Sequence, residues 1–219
     1  FNENFNASDI IGDDPTKMDD IGYGNNDVIG LDADHGTHVS GIIGAVRKNE
    51  MGIDGQAINV KIMALRAVPN GDERDKDVAN AVRYAVDNGA RVINMSFGKS
   101  YSPDKAYVDA AFKYAEAAGV LVVHAAGNDN MNTELANNFP TKKLLRTASE
   151  PAGELRNWIE VGASDALEKQ YIDEAGVLKS MIAEFSNYGK TSVDVFAPGV
   201  QILSTIPGNK YAPFNGTSM

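Results

Sequence analysis

Three short segments hold the residue types that could carry chemistry. His35-Gly36-Thr37-His38-Val39-Ser40-Gly41 sets two imidazoles three residues apart. Ala125-Ala126-Gly127-Asn128 puts a short amide after an apolar run, and Asn215-Gly216-Thr217-Ser218-Met219 carries a hydroxyl at Ser218. Two histidines at that spacing share a helix face and could ligate zinc, which takes three or four nitrogen or sulfur donors. The third donor would have to be His124, because the chain has 3 histidines and no cysteine. No H-E-x-x-H pattern supports it, so no metal site is assigned. Gly127-Asn128 is ordinary turn chemistry. A glycine turn after a buried strand also aims backbone amides out of the carboxyl edge of a sheet, where open α/β folds bind ligands. Ser218 after Gly-Thr reads by itself as a helix N-cap.

The elements that must position these residues follow from periodicity. Val120–Ala125 is an almost unbroken apolar run, as in a strand whose two faces are both covered. Asn59–Val68 and Arg91–Phe97 are short, rich in β-branched residues and bounded by polar turns, which predicts two more strands. A helix is predicted from about Arg74 to Asn88, with Val78, Val82 and Val86 at spacing four and Gly89 placed to end it. A second opens with Ser102 as N-cap and Pro103 at its first position, and stops at Gly119. His35 lies in the first turn of a third helix, which leads into Ile42, Ile43 and Ala45. Trp158–Ala163, Val193–Ala197 and Gln201–Thr205 read as later strands. Strands alternating with helices imply right-handed crossovers. The fold class is therefore α/β, a mostly parallel, doubly wound sheet with helices on both faces. Thr141–Asn157 and Leu167–Met181 read as surface insertions, the latter a hairpin turning at Glu174–Gly176.

Bulk properties narrow the function. A chain of 219 residues is the size of one ordinary domain and can bury roughly 70% of its unfolded surface without a disulfide or metal. The lack of cysteine suits the cytosol and does not exclude secretion. No apolar run is long enough to span a bilayer. Residues 1–34 hold nine acids and one base, Lys17, which is −8 of the total charge of −10. No basic face is left to neutralise phosphates, so no nucleic-acid partner is expected. The acidic arm, residues 1–33, reads as a solvated, loop-rich segment, the tail of an insertion. A calcium site built from its carboxylates is the alternative.

HGTHVSG, NMSFG (Asn94–Gly98), AAGN and FAPGVQILSTIPGNKYAPFNGTSM (Phe196–Met219), in that order, resemble the signature segments of subtilisin-like serine proteases. The resemblance covers roughly Asp34 to Met219 apart from the two insertions, so residues 34–219 are read as a partial peptidase domain. It implies a serine endopeptidase working through an acyl-serine intermediate on polypeptide substrates, secreted or in the cell envelope, with no required cofactor. By resemblance His35 is the general base, Asn128 the oxyanion donor and Ser218 the nucleophile. A hydroxyl is a poor nucleophile until a base takes its proton, and histidine titrates in the useful range. The oxyanion then needs fixed donors. Ser96, Phe97 and Gly98 resemble the strand that pairs with the substrate backbone. Gly98 and Gly127 resemble the walls of the specificity slot, with Asp129 at its rim and Phe139-Pro140 closing its far side. His38 holds a structural position in the family. The loop Arg47–Gly55, with Asn49 and Glu50, stands where relatives often hold calcium.

The sequence also departs from the pattern. The family's aspartate precedes Ser/Thr-Gly on an early strand, and no such segment precedes His35. Asp9-Ile10-Ile11-Gly12 is the nearest imitation and lacks the small residue of the turn. The aspartate is expected upstream of Phe1, and the helix that carries the serine beyond Met219. The chain as given is therefore expected to be inactive and to self-associate through uncovered apolar faces. One rival reading is a non-catalytic subtilase-like module that binds peptides or protein partners along its edge strand. The other, a nucleotide-binding doubly wound domain, lacks a G-x-G-x-x-G fingerprint.

Overall fold

Side chains at spacing two on three strands meet side chains at spacing three and four on two helices, and their contact forms the core. The computed structural model describes residues 7–30, 32–68, 73–149, 151–165 and 181–219. Its helices are α1 (Ala7–Ile11), α2 (Asp34–Gly44), α3 (Asp75–Asp87) and α4 (Lys105–Ala117). Its strands are β1 (Val92–Met95), β2 (Leu121–Ala125), β3 (Lys143–Leu144), β4 (Gly153–Glu154), β5 (Trp158–Ser164), β6 (Val195–Pro198), β7 (Ile202–Ile206) and β8 (Lys210–Phe214). The main sheet runs β1-β2-β5-β6 and is parallel throughout. β7 and β8 form an antiparallel hairpin, and β3 and β4 a two-residue pair inside the Thr141–Asn157 insertion.

Register decides which residues share a face. Ile93, Val122 and Trp158 lie side by side, and so do Met95, His124 and Glu160. This face is buried under Val78, Ala79 and Val82 of α3 and Val108, Ala111, Phe112 and Ala115 of α4. Phe112 meets Trp158 edge-on at 5.1 Å between ring centroids, an arrangement that adds about 0.5–1.5 kcal/mol to the burial itself. On the opposite face Val92, Leu121, Val123, Ile159 and Val161 stay half-buried or exposed. Full helical cover is thus seen on one face, while α2 packs on the β7–β8 hairpin.

Three elements differ from expectation. Asn59–Val68 forms no strand among the described residues, and Val60, Ile62, Met63 and Leu65 are exposed. The preceding residues are tied to α2 by backbone bonds, Gln56 N–H to Ile42 O and Ala57 N–H to Ile43 O, both 2.8 Å. Val60 and Ile62 then lie beside Gly44 at the end of that helix rather than in the sheet. Helix α4 begins at Lys105, not at Ser102-Pro103. The Asp75 carboxylate on α3 accepts from Ser102 Oγ (2.9 Å) and Asp104 N–H (2.8 Å), so a neighbouring helix supplies the cap. Strand β8 was missed because Pro213 interrupts its pattern. The Gly208-Asn209 turn, with φ of 79° and 58°, was its available signal. The predicted turn at Glu174–Gly176 lies outside the described residues.

The acidic arm is loop-rich yet anchored rather than merely solvated. Lys76 and Asp13, both almost fully buried, pair at 2.5 Å. The same ammonium donates to Asp14 O (2.7 Å) and lies over the Tyr23 ring at 4.6 Å. Lys76→Met keeps the apolar stem but leaves the buried Asp13 carboxylate with only the more distant Arg74 guanidinium, 3.9 Å away. Breaking a buried pair in this way costs about 3–5 kcal/mol. A urea melt should show that loss, whereas a change below about 0.5 kcal/mol, the range of ordinary surface substitutions, would contradict the anchor.

Candidate active site

One hairpin carries both halves of the site. Ser204 Oγ of β7 donates to His38 O (2.7 Å), and Thr205 Oγ1 donates to Thr37 O (3.0 Å). These bonds dock α2 along β7. Gly41 sits against the Ser204 and Thr205 side chains, where a Cβ would collide. His38 is fully buried, donates from Nε2 to Ala212 O (3.0 Å) and stacks on Phe214 at 4.2 Å. Its Nε2 is thereby engaged within the helix–hairpin contact. His35 lies one turn earlier on the same helix, while β8 runs out through Asn215 towards Gly216-Thr217-Ser218.

The serine segment is moored at the carboxyl edge of the sheet. Asn128 Oδ1 accepts from Thr217 N–H (2.9 Å) and Thr217 Oγ1 (3.0 Å). With the oxygen engaged, the amide nitrogen of Asn128 remains as the available donor. Thr217 Oγ1 also accepts from Gly127 N–H (3.1 Å), and Gly216 N–H bonds to Gly199 O (2.8 Å). Ser218 Oγ donates to Ser96 O (3.2 Å), and Ser96 Oγ donates to Ser218 O (3.0 Å). Ser218, Asn128, Ser96 and Gly127 are therefore brought together by these bonds.

Two residues escaped sequence reasoning. Asn187, fully buried, accepts from Asp129 N–H (3.0 Å) and Met131 N–H (2.9 Å) and donates to Ala126 O (2.8 Å). It sets the turn that presents Asn128, and nothing in a Ser-Asn loop dipeptide reveals this. Asn138 donates to Ala125 O (3.0 Å), and its amide fills the space beside Gly98, while the space beside Gly127 is filled first by the Asn187 amide and then by Asn138. Gly127, at φ 104°, is required for its backbone as well. Phe139 closes this side through an antiparallel bridge with Lys99, at 3.0 and 2.7 Å. Pro140 is buried beside it, and Asp129 is exposed at the rim.

His35 is the loosest member. It is exposed and its imidazole makes no hydrogen bond among the described residues, and Ser218 Oγ is bonded to Ser96 instead. Partial desolvation, and then the neighbouring His38, lower its pKa, while Asp32 works in the opposite direction. Asp9 lies on α1, its side chain outside the described residues. The calcium expectations find little support in the donor sets. Asp13 is taken up by Lys76, and in the loop Arg47–Gly55 the oxygens of Asn49 and Asp54 accept backbone N–H groups. Among the described residues, no cluster of three or more acidic, histidine or cysteine side chains could hold a metal ion. None of the described helices is long and apolar enough to cross a membrane.

The profile of the Subtilase family matches residues 11–219. A thermophilic serine proteinase of Bacillus sp. (strain AK1) is 42% identical over 186 residues, 84% of this chain and 39% of that protein. Thermitase of Thermoactinomyces vulgaris is 37% identical over 84% of this chain and 56% of its own length. Among solved structures, an S41 psychrophilic protease superposes with a TM-score of 0.64 at 28% identity, over 85% of this chain and 59% of that one. The chain belongs to the subtilase family, and it spans only part of the length of these relatives.

The direction of the His35 shift is testable on the chain itself. An NMR titration should place its imidazole below the ordinary 6.5, and Asp32→Asn should lower it further. A lowered folded pKa means that His35 contributes stability above the unfolded value, which is lost as pH falls through the folded one. A midpoint above 6.5 would contradict the burial and charge argument.

Proposed function

We propose that this chain forms the catalytic part of a serine endopeptidase. The observation that carries the reading is the double acceptance by Asn128 Oδ1 from Thr217, which leaves the Asn128 amide free next to the candidate nucleophile. In this reading Ser218 Oγ turns from Ser96 O to the substrate carbonyl and gives its proton to His35. The Asn128 side-chain N–H and the Ser218 backbone N–H receive the oxyanion. His35 then passes the proton to the leaving amine, and water repeats the sequence on the acyl ester.

The extended segment Ser96–Gly98 would pair with the substrate backbone, and the slot between Gly98 and Gly127 would take the side chain before the scissile bond. Two bare glycines suggest room for a large apolar group, with Asp129 tolerating lysine at the rim. Asn138 modifies this expectation, because its amide occupies the base and favours shorter side chains. Residues 1–33 act as an acidic arm docked on α3 of the peptidase domain. The protein works outside the cytoplasm on polypeptides and requires no cofactor. The chain alone turns over poorly, since no carboxylate among the described residues orients His35. It also self-associates through Val60, Ile62, Met63 and Leu65, which sedimentation would detect as concentration-dependent mass.

One assay series on the full-length protein tests the reading. Ser218→Ala should abolish casein hydrolysis, and retained activity would return the chain to a peptide-binding role. Asn128→Leu should lower kcat and spare KM, by the roughly 10²–10³ seen for a subtilisin's own oxyanion asparagine. A rise in KM at constant kcat would make Asn128 a ground-state contact. Asn138→Ala should raise kcat/KM for phenylalanine relative to alanine before the scissile bond, and an unchanged ratio would remove Asn138 from the slot.

A further inference from the structure

A buried titratable pair stands outside the steps above. His124 on β2 and Glu160 on β5 are register partners, 1% and 7% exposed. His124 Nδ1 lies 2.9 Å from Glu160 Oε1, while Glu160 Oε2 accepts the Trp158 indole N–H at 2.7 Å. The other ring nitrogen, Nε2, lies 2.9 Å from Phe97 O. A backbone carbonyl has only lone pairs to offer, so Nε2 must carry a hydrogen. One more proton is shared between Nδ1 and Oε1. Whichever atom holds it, Nε2 keeps donating to Phe97.

Such a pair is a costly occupant of a sheet face otherwise filled by Met95, Val122 and Trp158, and apolar residues would cover that face at least as well. Its distinctive contact is with Phe97 O. Residues 96–98 lie beyond the end of β1, where no ladder holds the backbone. Ser96 O is taken by the nucleophile's hydroxyl and Lys99 by the bridge to Phe139. Phe97 O between them is held by His124.

We propose that His124 is a positioning residue for the peptide. Locked by Glu160, it fixes the Phe97 carbonyl and so presets the backbone wall that the substrate strand meets. The proposal rests on the peptidase reading only in taking residues 96–98 as the peptide's partner.

The test measures binding without chemistry, in the full-length protein carrying Ser218→Ala. The probe is a fluorescein-labelled Ala-Ala-Ala-Phe amide, read by anisotropy. Glu160→Gln should bind like the parent, because the glutamine oxygen still accepts from Trp158 while its amide donates to Nδ1 and keeps the hydrogen on Nε2. Adding His124→Leu to that variant should raise the Kd about tenfold, the scale of one ordering hydrogen bond. With Ser218 restored, kcat/KM should fall more for a tetrapeptide anilide than for p-nitrophenyl acetate, which reaches no strand. Unchanged affinity in the double variant, or equal losses on anilide and ester, overturns the proposal. Should the double variant not fold, His124→Gln and His124→Met in the Ser218→Ala protein decide: the glutamine, whose amide can still donate to Phe97 O, should bind within twofold of the parent and the methionine about tenfold more weakly, and equal affinities of the two overturn the proposal. Peptide binding without any hydrolysis by the Ser218 protein counts against the peptidase reading and leaves this one standing.

Discussion

The site depends on the docking of α2 against the β7–β8 hairpin. Two hydroxyls of β7 bond to carbonyls of the helix, and His38 stacks on Phe214 of β8. The helix carries His35 and the hairpin leads to Ser218, so this contact sets the distance between the proposed base and the proposed nucleophile across more than 180 residues of sequence. Gly41 is essential to it because any side chain there would meet Ser204 and Thr205. A catalytic pair assembled from remote segments needs such a clamp, since reacting atoms must lie within about 3–3.5 Å.

A second constraint acts at the carboxyl edge of the parallel sheet. Strand β2 ends in a turn whose backbone is held by Asn187 from one side and Thr217 from the other. Buried amides are suited to this task because each offers donors and acceptors at fixed angles without a charge to desolvate. In the proposed reading the result is a pre-set donor at Asn128 and a slot beside Gly98, Gly127 and Asn138. Electrostatic stabilisation of this kind is effective because no reorganisation is needed when charge develops.

Much of this was legible in the sequence. The apolar spacing of Val78, Val82 and Val86 and the run Val120–Ala125 located α3 and β2 to within a residue or two. HGTHVSG, AAGN and the segment before Ser218 mark the segments on which the proposed site is built. What could not be read was relational. Asn59–Val68 has the composition of a strand, yet strandedness needs a partner, and the backbone bonds to α2 direct it elsewhere. The cap of α4 comes from Asp75 on another helix, and Asn187 and Asn138 act through tertiary contacts that spacing does not encode. The Lys76–Asp13 pair likewise turned an acidic stretch that reads as solvated into a docked arm.

The central claim is that Ser218 is a nucleophile activated by His35 within this scaffold. Its most direct measurement is the reaction of the full-length protein with an aryl phosphonate, located by mass spectrometry of the proteolytic peptides. The account predicts one equivalent of phosphonate on Ser218 and none when His35 is replaced by alanine. An unlabelled Ser218, or equal labelling without His35, would contradict it.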